Sequence, residues 1–322
     1  MSRYFAVAYY KIVEVPEPEK EMKRHKKFLA SLDAKGRIYL SHEGINGQVS
    51  LSEESFSVYR DWMNESPIFK DCDFKLHKIP EHIFDRMTVK VKKQLVAVDR
   101  LIDFSKRAEH ISPAEWKKTL DEDDENLLVI DVRNEYEGKV GHFKNSLIPP
   151  LETFREFPQY AKNLTNEYDP KKTKVLMCCT GGIRCEFFSP LMKEAGFENV
   201  YQLDGGIIGY GLKEGNKHWK GKLFVFDDRL VTPICEENKE TISTCAHCSE
   251  KTDHYINCAN MDCNKLFLSC DSCTEGKKGL CSEECKGGRV RPFKHKAYPK
   301  PFRRQTHEEK IALKSSSKTE QA

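Results

Sequence analysis

Between residues 3 and 92 the spacing of apolar positions switches between the two periods that backbone geometry allows. Tyr4–Tyr10 is a run of aromatic and small apolar residues, whereas Glu19–Leu32 sets Met22, His25, Phe28, Leu29 and Leu32 on one face of a helical repeat. Ile38–Leu40 and Gln48–Leu51 are extended again and flank the turn-rich His42-Glu43-Gly44-Ile45-Asn46-Gly47; Phe56, Tyr59, Trp62 and Met63 then mark a second helix. Extended runs return at Phe74–Ile79 and Thr88–Val98. The order βαββαβ predicts a ferredoxin-like α+β sandwich over residues 1–98.

From Ser112 the pattern changes. Ser112-Pro113-Ala114-Glu115-Trp116 has the grammar of a helix start, with serine at the cap and proline at the first position. Leu127–Ile130 is a short apolar run closing on Asp131-Val132-Arg133, Tyr136 to Ile148 contains Gly141-His142-Phe143, and Glu152–Tyr160 has helical character. Val175-Leu176-Met177 leads into the Cys179 loop, and Val200–Leu203 closes on Asp204-Gly205-Gly206. Short buried strands alternating with helices predict a parallel-sheet α/β domain over residues 99–232. In such sheets functional residues gather at the carboxyl ends of the strands, where Asp131 and Cys179 fall.

Chemistry concentrates in Cys179-Thr180-Gly181-Gly182-Ile183-Arg184-Cys185, which lies between an apolar strand and a segment with Phe187, Phe188, Leu191, Met192 and Ala195 at helical spacing. A cysteine at a helix start faces unpaired N–H groups, and Arg184 adds a full positive charge; both favour thiolate over thiol. Backbone N–H groups from Thr180 through Gly181, Gly182 and Ile183 to Arg184 are expected to form an anion cradle around the sulfur. Counted from Cys178, the same stretch has the Cys-x5-Arg spacing of cysteine phosphatases, a second register that the strand position of Cys178 disfavours. Cys185 is a candidate resolving thiol or a core residue, Asp131 and Arg133 are candidates to brace the loop, and His142 is either a proton carrier or a structural hydrogen-bond donor. His42 and Glu43 are read as solvated turn residues, with a pocket role as the alternative.

The chain has 322 residues, enough for two or three domains, and 13 cysteines, nine of them between Cys235 and Cys285. No apolar run approaches the roughly 20 residues that span a bilayer, and the start lacks a secretory pattern, which predicts a soluble cytoplasmic protein. In a reducing compartment such crowding means metal ligation. The spacing Cys245-x2-Cys248-x9-Cys258-x4-Cys263-x6-Cys270-x2-Cys273-x7-Cys281-x3-Cys285 provides four close pairs, enough for two structural four-thiolate zinc sites over residues 233–288. Sequential and crossed pairing remain open, Cys235 is left over, and His247 and His254 are possible substitutes. The formal charge of +3 hides an asymmetry: residues 286–322 carry 11 Lys/Arg against three Glu, so that segment is +8 and the remainder −5. Residues 289–322 are read as a basic disordered tail, with a phosphate-backbone contact as its functional alternative.

Asp131-Val132-Arg133, Gly141-His142-Phe143, the cysteine loop and Leu203-Asp204-Gly205-Gly206 resemble, in order and spacing, a rhodanese-like domain. Together with Gly44-Ile45-Asn46-Gly47, Gly221-Lys222-Leu223-Phe224-Val225-Phe226-Asp227 and the cysteine-rich segment, the chain resembles the bacterial oxygen-dependent tRNA uridine hydroxylase family over roughly residues 1–285. The resemblance implies a tRNA partner, dioxygen as co-substrate and hydroxylation of the wobble uridine at carbon 5, with Cys179 in the rhodanese register as nucleophile. Thr180 stands where common sulfurtransferase loops carry a basic residue, which weakens the alternative of persulfide transfer on Cys179. A non-enzymatic RNA or protein adaptor is the third reading. No flavin, haem or 2-His-1-carboxylate signature is present.

Overall fold

The computed structural model describes residues 4–122, 124–151 and 153–292. The chain opens with β1 (Tyr4–Ile12), α1 (Pro18–Leu29), β2 (Ala34–Ser41), β3 (Gly44–Ser52), α2 (Glu53–Asn64), β4 (Lys75–Ile79) and β5 (Met87–Val91). Helix α2 starts where Ser52 caps it, its hydroxyl accepting the Ser55 N–H at 3.2 Å, with Glu53 and Glu54 in the positive first turn. The sheet order β4-β1-β3-β2 is that of a ferredoxin-like sandwich, and β5 extends it to five strands by pairing parallel to β2. The stretch read as turn-rich is mostly strand: β3 begins at Gly44, leaving His42 and Glu43 as the hairpin turn. The run read as extended to Val98 ends as strand at Val91.

Register decides which residues of this sheet reach the core. Val7, Tyr9, Ile38, Leu40, Ile45, Val49 and Leu51 point to one face and pack with Leu29, Phe56, Tyr59 and Met63 of the two helices. Their neighbours point the other way, so no helix of this domain covers Ala8, Tyr10, Arg37, Tyr39, Asn46, Gln48 and Lys75.

The second domain runs β6 (Glu109–Ile111), α3 (Pro113–Asp121), β7 (Leu127–Asp131), α4 (Glu135–Val140), β8 (Gly141–Phe143), α5 (Phe157–Leu164), β9 (Lys174–Cys178), α6 (Ile183–Glu194), β10 (Asn199–Leu203) and α7 (Gly206–Glu214). Ser112 caps α3 and Pro113 opens it, as the sequence indicates. The helix read over Glu152–Tyr160 instead begins with a short turn at Phe154–Glu156 and continues as α5. Strands β6-β10-β9-β7 form a parallel sheet buried on both faces. Val175 and Met177 of β9 pack with Phe187, Phe188 and Leu191 on one side, Leu176 and Cys178 with Trp116, Ile207 and Tyr210 on the other. Val96 and Val98 enter the first of these clusters.

After β11 (Trp219–Gly221), β12 (Leu223–Phe224) and β13 (Val231–Thr232) comes the cysteine-rich module, with β14 (Tyr255–Asn257), β15 (Leu266–Leu268) and α8 (Asp271–Gly276). Tyr255 and Leu268 pack with Val140 of α4 and Phe224, and the Tyr255 hydroxyl donates to the Tyr136 carbonyl at 2.6 Å. A Lys222–Asp253 ion pair adds a second tie. No helix of the described residues is long and apolar enough to cross a membrane. The tail read as basic and disordered lies, from residue 293, outside the described residues.

Candidate active site and metal centres

Cys179 follows β9 and lies at the floor of a cleft of about 380 Å³ between the helix-free face of the first sheet and the loop 179–184. Its side chain is fully covered. Burial alone would push the thiol up. The Cys185 thiol, the Arg184 guanidinium and the backbone N–H groups of Cys185 and Arg184 outweigh it and bring the Cys179 thiol down to about 6. The Gly182 N–H also points at the sulfur, at 3.1 Å. The direct hydrogen bond of the cradle is thus the Gly182 N–H, at the loop's helix end, with the Arg184 and Cys185 N–H groups adding to its field while the Cys185 N–H donates to the Gly182 carbonyl at 3.0 Å. Thr180 contributes its hydroxyl to a different network, and Gly181 and Ile183 line the cleft. Cys185 is buried in the core cluster and its own thiol is pushed far up by burial and by donating to Cys179. Cys178 is fully buried on the other side of the sheet and pushed up by burial, which makes it a core residue and disfavours the phosphatase register.

Arg184 is held by a residue that sequence reading missed. Both terminal nitrogens donate to Glu137, Nη1 to Oε1 at 2.6 Å and Nη2 to Oε2 at 2.9 Å, and Nη2 also reaches the Thr180 hydroxyl at 3.1 Å. Glu137 is fully buried; burial would raise its carboxyl, but the Arg184 charge and hydrogen bonds hold it below the usual carboxylate range. The signal in sequence was Asn134-x-x-Glu137, a helix-capping pattern, and the Asn134 N–H does donate to Glu137 Oε1 at 3.1 Å. Beneath lies a second buried pair, in which Arg133 Nε meets Asp131 Oδ1 at 2.8 Å and Nη2 meets Oδ2 at 2.6 Å. Arg133 Nη2 also donates to the Gly141 carbonyl at 2.6 Å, so this pair ties β7 to β8 and does not line the cleft. His142 hydrogen-bonds the Gly138 carbonyl through Nδ1 at 2.8 Å.

Two further contacts lock the loop. Ile207 and Ile208 donate their N–H groups to the carbonyls of Cys179 and Thr180 at 3.0 and 3.1 Å, which gives the Asp204-Gly205-Gly206 motif its structural reason. From the first domain, the Tyr10 hydroxyl donates to Glu186 Oε1 at 2.9 Å, and Glu186 also engages His110 Nε2 at 3.0 Å and Arg107 Nη1 at 3.4 Å. Glu43 accepts from the Leu95 N–H at 3.1 Å and Gln94 Nε2 at 3.2 Å, and His42 Nδ1 meets the Val15 carbonyl at 3.1 Å; both serve the interdomain connection and hairpin, not the cleft.

The eight module cysteines form two clusters, Cys245, Cys248, Cys270 and Cys273 in one and Cys258, Cys263, Cys281 and Cys285 in the other, with all sulfurs of a cluster within 4.8 Å of one another. Pairing is crossed: first with third pair, second with fourth. Sulfur–sulfur distances of 3.6 Å for Cys248–Cys270 and Cys281–Cys285 and 3.7 Å for Cys263–Cys281 are far too long for disulfides. They fit a tetrahedron of thiolates about 2.3 Å from a central ion, whose edges are about 3.8 Å. Neither histidine belongs to a cluster: His254 pairs with Asp271 at 3.2 Å and His247 packs edge-on to Phe267. Cys235 stands outside both.

Comparison with known proteins gives the architecture a family. A profile described as an UPF0176 acylphosphatase-like domain matches residues 4–95, a rhodanese-like domain residues 112–213, and a rhodanase C-terminal segment residues 220–286. Proteins named tRNA uridine(34) hydroxylase align along almost the whole chain. The one from Protochlamydia amoebophila is 48% identical over 305 residues, covering 94% of this chain and 95% of its own. That from Chlamydia pneumoniae is 52% identical, covering 94% of each. That from Chlamydia trachomatis serovar D is 51% identical, covering 94% of this chain and 92% of its own. With such identity across all three modules, the chain belongs to the tRNA uridine(34) hydroxylase family.

Proposed function

We propose that this protein hydroxylates carbon 5 of the wobble uridine of tRNA, with Cys179 as the nucleophile and dioxygen as the source of the oxygen atom. The observation that carries the reading is the activated thiol at the floor of an interdomain cleft large enough for one nucleobase. A thiolate adding to carbon 6 of uracil breaks the 5,6 double bond, moves charge onto the carbon 4 carbonyl and makes carbon 5 nucleophilic, the position that then takes up oxygen; a two-electron donor such as a free thiol reduces the second oxygen atom to water, and loss of the carbon 5 proton expels Cys179 and restores the double bond. Arg184, fixed by Glu137, keeps the sulfur anionic, and Asp131 with Arg133 holds the strand ends beneath it. Cys185 stabilises the thiolate through its proton.

On this reading residues 1–98 form the wall opposite the sulfur, 99–232 carry the nucleophile, and the two four-cysteine clusters of 233–288 would hold two zinc ions. Each zinc would be closed by four thiolates, leaving no position for substrate, and would supply folding free energy to a module with little core of its own. A tRNA substrate is consistent with a cytoplasmic reaction. Nucleoside analysis of total tRNA from cells with and without the gene tests the reading: hydroxylated wobble uridine and its derivatives disappear on deletion. An unchanged nucleoside profile would refute it.

A further inference from the structure

The first domain presents two cross-strand rows to the cleft. One runs Lys75, Ala8, Gln48, Arg37 across β4, β1, β3 and β2; the next runs Tyr10, Asn46, Tyr39. Lys75 stands out in this wall. Its side chain is 9% exposed, and its one ionic partner among the described residues, Asp73 at 3.1 Å, is 75% exposed. Desolvating an ammonium against a counter-ion that stays in water is unfavourable unless something else receives the charge. The ammonium lies 5.3 Å from the centre of the Tyr10 ring. Tyr10 in turn meets the cysteine loop, since a Cβ on Gly182 would lie 2.8 Å from its hydroxyl. A Cβ on Gly205 would lie 3.4 Å from Lys75 Cε, and one on the next residue, Gly206, 2.7 Å from the Cys179 carbonyl oxygen. Lys75 and Cys179 thus border the same cleft from opposite domains. Asn46, between Tyr10 and Tyr39, makes no side-chain hydrogen bond among the described residues.

We propose that Lys75 is a catalytic residue, the cation that binds the carbon 4 carbonyl oxygen of the uracil and receives the charge formed there when Cys179 adds to carbon 6, with the Asn46 amide pairing the adjacent N3–H. The inference rests on the uridine hydroxylase reading. In the step, the S–C6 bond forms, the 5,6 π pair becomes the C4–C5 π bond, and the carbonyl pair moves onto oxygen as an enolate; the ammonium donates a hydrogen bond and no proton need transfer. An ammonium only donates, so it suits a carbonyl oxygen and rejects the amino group that cytosine carries at the same position. The same contact therefore serves rate and base choice.

The test uses the full-length protein under anaerobic conditions with tRNA carrying 5-fluorouridine at the wobble position, whose fluorine favours thiolate addition at carbon 6; acid quenching protonates carbon 5 of the enolate, so the S–C6 adduct is collected as a covalent complex without oxygen. Lys75→Met should slow complex formation roughly 10²–10³-fold, the loss expected for one oxyanion donor, with tRNA affinity within about threefold of wild type as evidence that the fold survives. Lys75→Arg should recover at least about tenfold of the loss, which a merely structural defect would not allow. Adduct formation by Lys75→Met at the wild-type rate, or a loss confined to tRNA affinity, would overturn the proposal, the latter making Lys75 a phosphate contact. Absence of any wild-type adduct would also overturn it. Hydroxylation of ordinary tRNA by the wild type, measured in parallel, judges the hydroxylase reading separately.

Discussion

At Cys179 burial and local charge oppose each other, and the charge and hydrogen-bond donors win. The sulfur is fully covered, which alone would keep it a thiol, yet the surrounding donors bring it down to about 6. A nucleophile of that kind is a thiol below this value and a thiolate above it, so kcat/KM should rise with pH through about 6 and level off before neutrality. The ultraviolet thiolate absorbance lost in Cys179→Ser should titrate with the same midpoint; a midpoint near the ordinary cysteine value would refute the account of the cradle. Glu137 is the second decisive residue. Glu137→Gln leaves the buried Arg184 without its counter-charge and should cost ~3–5 kcal/mol in denaturant unfolding. It should also disorder the loop. Because Arg184 overrides burial to hold the Glu137 carboxyl low, its stabilisation is present at neutral pH and is lost as pH falls through that lowered value. The cysteine loop was legible because strand, glycine loop and helix are local in sequence. Its support was not, since Glu137 and Arg184 are 47 residues apart and only the capping pattern marked the former.

The elements explain why the glycines of the site sit where they do. Gly206 has φ +62°, and a Cβ there would lie 2.7 Å from the Cys179 carbonyl and the Gly181 and Gly182 backbone. Gly206→Ala should therefore push α7 off the loop, removing the Ile207 and Ile208 hydrogen bonds. The expected result is a drop of at least tenfold in activity, on the general scale of ~1–3 kcal/mol for strained backbone; wild-type activity in a folded Gly206→Ala protein would show that this brace is dispensable. The Asp204-Gly205-Gly206 motif was visible in the sequence, but its reason is a contact with another strand end. Likewise the extended run from Thr88 was visible, whereas its parallel pairing with β2 was not, because periodicity says how a strand faces and not which edge it joins. The residues facing the cleft from the first domain were hidden for the same reason: Tyr10, Asn46 and Lys75 form one surface only through the register of β1, β3 and β4.

Across the whole molecule, the cysteine spacing predicted eight ligands in two sites; the fold gathers these cysteines into two clusters in crossed order by bringing alternate pairs together. Purified protein should hold two zinc ions per chain. Cys270→Ser should lower this to about one and leave the Cys258 cluster loaded, as metal analysis would show; loss of both ions would mean that the two sites fold as a single unit. Because Tyr255 hydrogen-bonds the carbonyl of Tyr136, one residue before Glu137, chelation should also reach the active site and reduce hydroxylation without any metal touching substrate. Cys179, the wall that carries Lys75 and the buttress behind α4 thus come from three parts of one chain, proposed to act together on a single base. Incubation of purified protein with unmodified tRNA under isotopically heavy dioxygen, followed by mass spectrometry of the nucleosides, tests it most directly. Wild type should yield heavy 5-hydroxyuridine at the wobble position, and Cys179→Ala none. Full product from Cys179→Ala, or a hydroxyl group carrying no heavy oxygen, would contradict it.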